Sequence, residues 1–275
     1  MAATVDAPEA AAGTARIAFR NVSKRFLAYG KDTAIEAVRD VDLEVADGEV
    51  VSLIGPSGCG KSTLLNMGSG LYAPSAGEVF VDGARVTGPN PHVAFMLQKD
   101  LLLPWRTIRR NVEFGLEIQG LAAAARKERA LALLARCRLS QFADHYPHQL
   151  SGGMRQRAAL ARTLAVDPAV LLMDEPFSAL DAQTKMILQQ DLAQTLAVDG
   201  RTAVFITHDL VESIALSDRI LVMSERPGTI IEEIVVDIAH RDDPITRRKD
   251  RRVGDYVAHL MSLLHVSEHA ADEMI

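Results

Sequence analysis

Residues 55–62 have the types and spacing of a phosphate-binding loop. They are Gly55, Pro56, Ser57, Gly58, Cys59, Gly60, Lys61 and Ser62, which fit the pattern G-x-x-x-x-G-K-[ST], and Thr63 opens the helical stretch that follows. Glycines let backbone N–H groups wrap closely around phosphate oxygens, and the helix N-terminus adds partial positive charge. In this pattern Lys61 neutralises the β and γ phosphates and Ser62 offers a hydroxyl to Mg²⁺. The segment therefore predicts a nucleoside triphosphate site.

Two carboxylates at the end of a later apolar run supply the acidic groups that such a site needs. Residues 170–173 are predicted to form a buried strand, and Asp174 and Glu175 follow it. We expect Asp174 to hold Mg²⁺, through water, and Glu175 to polarise the attacking water as general base. Alone, the two acids would be ordinary solvated groups at a strand end. Together with the phosphate loop, they predict nucleotide hydrolysis.

A second segment has the chemistry of an anion-binding helix start. Leu150 precedes Ser151, Gly152 and Gly153, and a predicted helix then runs to Leu164. A serine and two glycines at this position leave backbone N–H groups available to an anion. One nucleotide needs only one such phosphate-binding segment. The second segment therefore indicates that the chain also contacts the phosphates of another nucleotide.

In this order, the motifs resemble those of the ATP-binding cassette family, whose signature is an LSGG segment followed by a glutamine. The resemblance covers the chain from about residue 17 to about residue 228. It implies that Gln98 senses Mg²⁺ and contacts a permease, and that His208 is the switch histidine at the γ-phosphate. It also implies a dimer contact at Asp181 and stacking of Phe26 on adenine, with Tyr29 as the alternative ring.

The same resemblance implies the cofactors and the partners. The cofactors are ATP and Mg²⁺, and Ser62, Gln98 and Asp174 are the expected residues around the metal. The expected assembly is a homodimer of the ATPase subunit, bound to integral-membrane permease subunits. A periplasmic or extracellular solute-binding protein would act on it indirectly. The expected location is the cytoplasmic face of the inner membrane, where the chain is peripheral and attached through the permease.

Two short segments resemble one branch of the family, the importers of nitrate, sulfonates and taurine. Leu103, Pro104 and Trp105 follow the glutamine loop, and an Arg-Pro-Gly segment begins at Arg226. This resemblance implies uptake of a small oxyanion; the alternatives are import of another small solute or a cassette ATPase without a transport role. For Trp105 two expectations stand: part of an apolar groove for a permease helix, or burial within its own domain.

Composition limits the other classes of function. The formal net charge of −6 and the pI of about 5.8 indicate no strongly basic face, so nucleic acid is not an expected partner. With only two cysteines, we expect neither a disulfide framework nor a zinc site. Cys59 is expected to fill a loop position rather than to sense redox state. No apolar run approaches the ~18 residues of a membrane span, and the first residues lack the features of a signal peptide.

Short apolar runs alternate with helical patterns and must hold these residues in place. The runs at 50–54, 93–97, 170–173, 203–206 and 220–223 predict a buried, mainly parallel sheet. We therefore predict an α/β fold of the P-loop NTPase type. In the N-terminal part of the chain, apolar and polar residues alternate along the predicted strands. This alternation predicts an N-terminal antiparallel β layer in addition to the parallel sheet core.

The chain is predicted to have three parts. Residues 1–15 are expected to be a disordered tail, residues 16–240 a cassette domain with a helical signature-motif subdomain at about 99–165, and residues 241–275 a basic linker and a C-terminal amphipathic helix. The basic residues are Arg247, Arg248, Lys249, Arg251 and Arg252, and the apolar helical face is Val253, Tyr256, Val257, Leu260, Met261 and Leu264. We expect a solvated basic turn and a helix packed back on the domain, in preference to contact with acidic lipids.

Other users of a phosphate loop fit the sequence less well. Chromosome ATPases separate the two nucleotide motifs by long coiled coils, whereas Lys61 and Asp174 lie in one compact region here. A scaffold that binds nucleotide without turnover would lack Glu175 or His208. An unrelated P-loop kinase would have no use for the segment at 150–153.

Overall fold

A computed structural model describes residues 15–27 and 34–264 of the chain. The strands are β1 (Ile17–Leu27), β2 (Ala34–Val45), β3 (Val50–Ile54), β4 (Ala76–Val81), β5 (Ala84–Arg85), β6 (Val93–Met96), β7 (Val170–Asp174), β8 (Thr202–Ile206), β9 (Arg219–Met223) and β10 (Ile230–Val235). The helices are α1 (Lys61–Gly68), α2 (Ile108–Ile118), α3 (Ala123–Arg136), α4 (Gly152–Ala165), α5 (Ala182–Val198), α6 (Leu210–Leu216), α7 (Pro244–Arg247) and α8 (Val253–Leu263). The tail predicted at 1–15, except for residue 15, and Tyr29 lie outside the described residues.

Two sheets form the framework. The first is antiparallel, in the order β2-β1-β4-β5, and the second has the order β10-β9-β3-β8-β7-β6. In the second sheet every pairing is parallel except that of β10 with β9. Strands β3, β7 and β8 are buried along their whole length, which explains why their sequences are continuous apolar runs rather than alternating ones. The predicted antiparallel layer and mainly parallel core are confirmed.

The order of the second sheet brings separate motifs to one edge. β3 lies between β8 and β9, and β7 lies between β8 and β6. Because parallel strands all end at the same edge, the segments that leave β3, β6, β7 and β8 emerge side by side. Those segments carry the phosphate loop, Gln98, the pair Asp174 and Glu175, and His208.

Helices α2, α3 and α4 pack around an apolar core of their own. Its fully buried members include Ile108, Val112, Leu116, Leu134 and Ala161. The buried side chain of Asn111 shapes the turn that enters α2: its amide group donates to the carbonyls of Leu103 and Arg106 at 3.1 Å. This turn leaves Trp105 72% exposed, so the expectation that Trp105 is buried in its own domain is wrong.

The C-terminal segment packs against the second sheet. On α8, Leu260 is fully buried, and Val253, Tyr256 and Val257 pack with it on Ile220, Val222 and Ile234. The apolar face of α8 therefore packs on the domain. Met261, which the pattern placed on the packed face, is 39% exposed instead.

The basic turn before α8 differs from its prediction. Arg247 is 2% exposed and donates to the carbonyls of Ser217 at 2.7 Å and Val236 at 3.1 Å. Burial lowers the pKa of its guanidinium from the ordinary value. The expectation of a solvated turn is therefore wrong for Arg247, because two main-chain carbonyls replace water around its charge.

Candidate functional site

A cavity of about 490 Å³ opens at the carboxyl edge of the second sheet. Most of the residues that the motifs selected line it: Phe26, Ser57, Gly58, Gly60, Lys61, Ser62, Thr63, Gln98, Asp174, Glu175 and His208. Gly55, Pro56 and Cys59 belong to the same loop but do not line the cavity. Its size is within the range of small-molecule sites.

The phosphate loop has backbone geometry that only glycine tolerates at one position. Gly60 has φ of 110°, and a Cβ there would lie 2.6 Å from Cγ2 of Val38 and 2.7 Å from the carbonyl oxygen of Ala37. Gly60 precedes α1, whose first turn has no side-chain cap. The N–H groups at the start of α1 are therefore available to an anion in the cavity, together with the positive end of the helix.

The ammonium of Lys61 is held by the loop itself. Its Nζ donates to the carbonyl oxygens of Gly55 at 2.7 Å and Pro56 at 2.8 Å, and lies 3.7 Å from Sγ of Cys59. Cys59 is 1% exposed and fills the space under the loop, in agreement with its expected packing role. The lysine thus places a positive charge beside the helix start.

The part of the cavity next to Ser62 is acidic and rich in oxygen atoms that can bind a metal ion. Asp174 is 5% exposed, and burial raises the pKa of its carboxyl, while a hydrogen bond from Ser62 acts in the opposite direction. The side-chain amide of Gln98 lines the same cavity. A hydroxyl, a carboxylate and an amide oxygen are the donors that Mg²⁺ prefers, so these residues fit that ion.

Glu175 and His208 form a pair at the end of β7 and β8. Nε2 of His208 lies 2.8 Å from Oε1 of Glu175. Glu175 has φ of 50°, in the left-handed region that a non-glycine residue seldom occupies. Its carbonyl accepts hydrogen bonds from Gln156 at 2.9 Å and from the Ser178 hydroxyl at 3.1 Å. The strained backbone is therefore held by neighbouring polar groups, as is common at functional sites.

An aromatic group lies at one side of the cavity. The ring of Phe26 makes an edge contact with that of Tyr72 at 5.7 Å between centroids, and the Lys24 ammonium lies 5.2 Å from the Phe26 centroid. Phe26 thus lines the cavity with an ammonium over its ring, and an aromatic ring in such a wall can stack on a nucleobase. The alternative ring, Tyr29, is outside the part of the chain that the structure describes.

Two of the predicted segments lie away from this cavity. Ser151 caps α4, accepting from the N–H of Met154 at 3.3 Å, and Asp181 caps α5, accepting from the N–H of Thr184 at 2.9 Å. Ser151, Gly152 and Asp181 are exposed, Gly153 is half-buried, and none of the four lines the cavity. Buried Gln156 connects the segments, since its Oε1 accepts from the N–H of Ala179 at 2.9 Å.

Sequence reasoning missed Arg226 as a residue of the cavity. Its guanidinium donates to the carbonyl oxygen of Gly58 from Nε at 3.0 Å and from Nη2 at 2.8 Å, and it lines the cavity wall. The Arg-Pro-Gly segment was noticed only as a resemblance. The signal that could have located it is the strand that precedes it, because β9 pairs directly with β3.

Comparisons with known proteins agree with this geometry. A family model described as "ABC transporter" matches residues 38–178. An uncharacterized ABC transporter ATP-binding protein of Methanocaldococcus jannaschii is 41% identical over 91% of this chain and 91% of its own length. The taurine import ATP-binding protein TauB of Yersinia pestis is 44% identical over 74% of this chain and 80% of its own. The nitrate import ATP-binding protein NrtD of a Synechocystis strain is 40% identical over 90% and 94%.

Solved structures show the same fold. A dimeric, post-hydrolysis ATP-binding cassette bound to ADP and Pi superimposes with a TM-score of 0.74 at 34% identity, covering 80% of this chain and 98% of that one. Within residues 15–27 and 34–264, no helix combines the length and apolar composition that crossing a bilayer would take. With its phosphate loop, acidic strand end and signature helix in one fold, the chain belongs to the ABC transporter family and is an ATPase subunit of that family.

Proposed function

We propose that this cavity binds ATP with Mg²⁺ and hydrolyses it to drive the import of a small solute. The observation that carries the proposal is the convergence of Lys61, Asp174, Glu175 and His208 on one cavity from three different strand ends. Phe26 is the group that we assign to the adenine, and the loop at residues 55–63 to the phosphates.

The residues assigned to Mg²⁺ are Ser62, Gln98 and Asp174. When bound there, the ion would neutralise charge on the β and γ phosphates. Burial of Asp174 favours this assignment, since a carboxylate removed from water is stabilised by a cation. The ammonium of Lys61, now bonded to two loop carbonyls, supplies a second positive charge within reach of the phosphates.

Glu175 is the proposed general base. It takes a proton from the attacking water, whose oxygen then forms a bond to the γ-phosphorus while the bond to the leaving ADP oxygen breaks. His208 holds the carboxylate from the side of β8, through the 2.8 Å contact, and its ring faces the cavity where the γ-phosphate would lie. The pair therefore orients both the base and the phosphate.

We assign residues 151–153 to the nucleotide of a second copy of this chain, in a head-to-tail homodimer. The helix start at Ser151 is exposed and separate from the cavity, so the N–H groups of Gly152 and Gly153 are available to a phosphate that another subunit holds. Asp181, also exposed, is assigned to the contact between the copies. The dimeric cassette of similar fold supports this assignment.

The importer role is proposed from the named relatives and from one exposed surface. The taurine and nitrate import proteins suggest a small oxyanion as the solute, delivered by a solute-binding protein. Trp105, 72% exposed, and Leu101, 55% exposed, follow Gln98 closely and offer apolar area to a permease helix. We place the chain at the cytoplasmic face of the membrane, bound through that permease. Residues 16–240 are assigned to the cassette, with 99–165 as its helical subdomain, and residues 241–275 to the C-terminal segment.

The decisive test is Mg²⁺-dependent ATP hydrolysis by the purified chain and by two variants. Lys61→Ala removes the charge beside the phosphates, and Glu175→Gln removes the base while keeping the shape. Each should slow turnover by roughly 10²-fold or more, as is usual for such groups in phosphoryl transfer. Lys127→Ala, at an exposed position on α3, is the matched control and should leave the rate unchanged. Native rates in Glu175→Gln would refute the proposal.

The solute is tested separately, in the source cell. A strain that lacks this chain should fail to take up one of the small oxyanions when it is the single source of sulfur or nitrogen. Growth and uptake equal to those of the parent on taurine, other sulfonates and nitrate would exclude the oxyanion class while leaving the ATPase activity in place.

A further inference from the structure

A partly buried polar network adjoins the turn that carries His208, and its members do not line the nucleotide cavity. Nζ of Lys185 on α5 lies 2.8 Å from Oδ2 of Asp209 and 2.6 Å from Oε2 of Glu212 on α6. Glu212 in turn accepts from Nε2 of Gln189 at 2.7 Å. One lysine thus joins two helices that come from different parts of the chain.

The network runs from the surface into the interior: the side chain of Asp209 is 43% exposed and that of Lys185 is 21% exposed. Glu212 is 2% exposed and Gln189 is fully buried. Burial raises the pKa of the Glu212 carboxyl, and the hydrogen bond from Lys185 opposes that effect. An unpaired carboxylate at this depth would be strongly destabilising, so Lys185 has one favourable position. A buried network with satisfied partners is rigid, and it transmits that rigidity to the backbone segments that carry it.

The backbone segment fixed in this way carries His208. Asp209 follows the histidine directly, and its Oδ1 accepts from the N–H of Glu212 at 3.0 Å as the cap of α6. Its own N–H donates to Oγ1 of Thr207 at 3.1 Å. The two neighbours of His208 are therefore bonded to each other across the histidine, and Asp209 is also bonded to Lys185.

The other end of the network reaches the surface assigned to the second subunit. The N–H of Lys185 donates to the carbonyl oxygen of Asp181 at 2.8 Å, within the first turn of α5. A displacement of Asp181 would therefore be transmitted to Asp209 through the side chain of Lys185. Neither the sequence motifs nor the catalytic assignments use Lys185.

We propose that Lys185 is a positioning residue that holds His208 against Glu175. It also couples the position of the His208 imidazole to the start of α5 at Asp181. This inference rests on the proposed ATP hydrolysis. The lysine acts through Asp209: its two ion pairs fix the turn between β8 and α6, and the turn fixes the imidazole.

The first test measures kcat and KM for ATP in Lys185→Met, in His208→Ala and in the double variant. Lys185→Met should lower kcat by about tenfold with less than a twofold change in KM, because the nucleotide contacts are intact. In the His208→Ala background the same substitution should change kcat by less than about twofold, since the group that it positions is gone. An equal loss in both backgrounds would overturn the inference.

Two further variants separate positioning from folding. Lys185→Arg keeps the charge and should restore at least half of the native kcat. Lys185→Met combined with Glu212→Gln removes the ammonium together with its buried carboxylate partner. Because no unpaired buried carboxylate is left, the melting temperature should stay within a few degrees of the native value while kcat stays low. Full recovery of kcat in that pair would mean that Lys185→Met acts only by destabilising the fold, and the inference would fail.

A measurement independent of hydrolysis keeps the two proposals distinct. The imidazole resonances of His208, assigned by comparison with His208→Ala, should shift in Lys185→Met and stay unchanged in the matched control Lys127→Met. If the native chain failed to hydrolyse ATP while these resonances behaved as expected, the proposed function would be wrong and the positioning contact right. Unchanged resonances in Lys185→Met would refute the contact itself.

Discussion

Nε2 of His208 lies 2.8 Å from Oε1 of Glu175, and the two residues come from adjacent parallel strands. Asp174 pairs with Ile206 in the register of β7 and β8, so each functional residue follows its strand by one or two positions. The contact therefore depends on strand register, and a slip of one residue would turn the side chains to opposite faces. The register of the two strands therefore positions the base and its histidine without any contribution from the substrate.

The first prediction concerns dimer formation. Glu175→Gln keeps the cavity but blocks hydrolysis, so the closed pair should persist with ATP and elute as a dimer, whereas with ADP it should elute as a monomer or a looser pair. Adding Ser151→Arg should abolish the shift, because a long side chain enters the exposed helix start at α4. Size-exclusion chromatography with light scattering measures the molecular mass of each variant with ATP and with ADP.

The control for that prediction is Ser262→Arg, which makes the same change at an exposed position on α8. It should leave the ATP-dependent dimer intact in the Glu175→Gln background. A Ser151→Arg variant that dimerises as well as this control would mean that the helix start at Ser151 takes no part in the interface.

The second prediction concerns Arg226. Its two hydrogen bonds to the Gly58 carbonyl support the phosphate loop at the cavity wall. Arg226→Met should therefore raise KM for ATP by about tenfold and change kcat by less than threefold. Arg251→Met, at an exposed position, is the control. An unchanged KM would mean that the loop keeps its shape without the guanidinium.

Much of the cavity could be predicted because its chemistry is encoded in local patterns. Lys61, Asp174 and His208 each follow a short apolar run, and parallel strands deliver such residues to one edge. The phosphate loop could be predicted equally well from its glycine pattern, because the geometry at Gly60 excludes any side chain. The alternation of apolar and polar residues separated the antiparallel sheet from the buried one.

Contacts between distant segments left no comparable pattern. Arg247 belongs to a run of basic residues that is typical of solvent, yet the carbonyls of Ser217 and Val236 bury it. Lys185 looks like a surface lysine on α5 until α6 is placed beside it. Guanidinium and ammonium groups obtain their partners from tertiary packing, and no periodicity in the sequence reports that packing.

The third prediction concerns pH. Burial raises the pKa of the Cys137 thiol from 9.0 to about 12. The unfolded chain therefore loses this proton first, so the contribution of the neutral thiol to stability is complete below pH 9 and is lost as pH rises toward 12. The free energy of unfolding should fall more steeply above pH 9 in the native chain than in Cys137→Ala, by up to about 1.4 kcal/mol per pH unit.

Urea unfolding at several pH values between 8 and 10.5 measures that slope, and all other titrating groups are common to the two chains. Parallel slopes would show that Cys137 ionises in the folded state as readily as in the unfolded one. That result would contradict its burial at the end of α3.

The last prediction concerns Gly228, which joins the phosphate loop to the antiparallel sheet. Its N–H donates to Ala37 and its carbonyl accepts from Arg39, both at 3.0 Å, so β2 holds it on one side. On the other side a Cβ would lie 1.9 Å from the carbonyl oxygen of Cys59. Gly228→Ala should therefore displace the phosphate loop, lower the free energy of unfolding by about 1–3 kcal/mol and weaken ATP binding.

The matched control for this change is Gly254→Ala, because nothing lies within 4 Å of a Cβ at that position in α8. Adding the methyl group there should raise the free energy of unfolding by up to about 1 kcal/mol, through helix propensity, and leave ATP binding unchanged. Thermal unfolding with and without ATP compares the two variants. If Gly228→Ala is as stable as the native chain and binds ATP equally well, the loop at Cys59 can yield, and the close approach of the two backbones is not what positions the phosphate site.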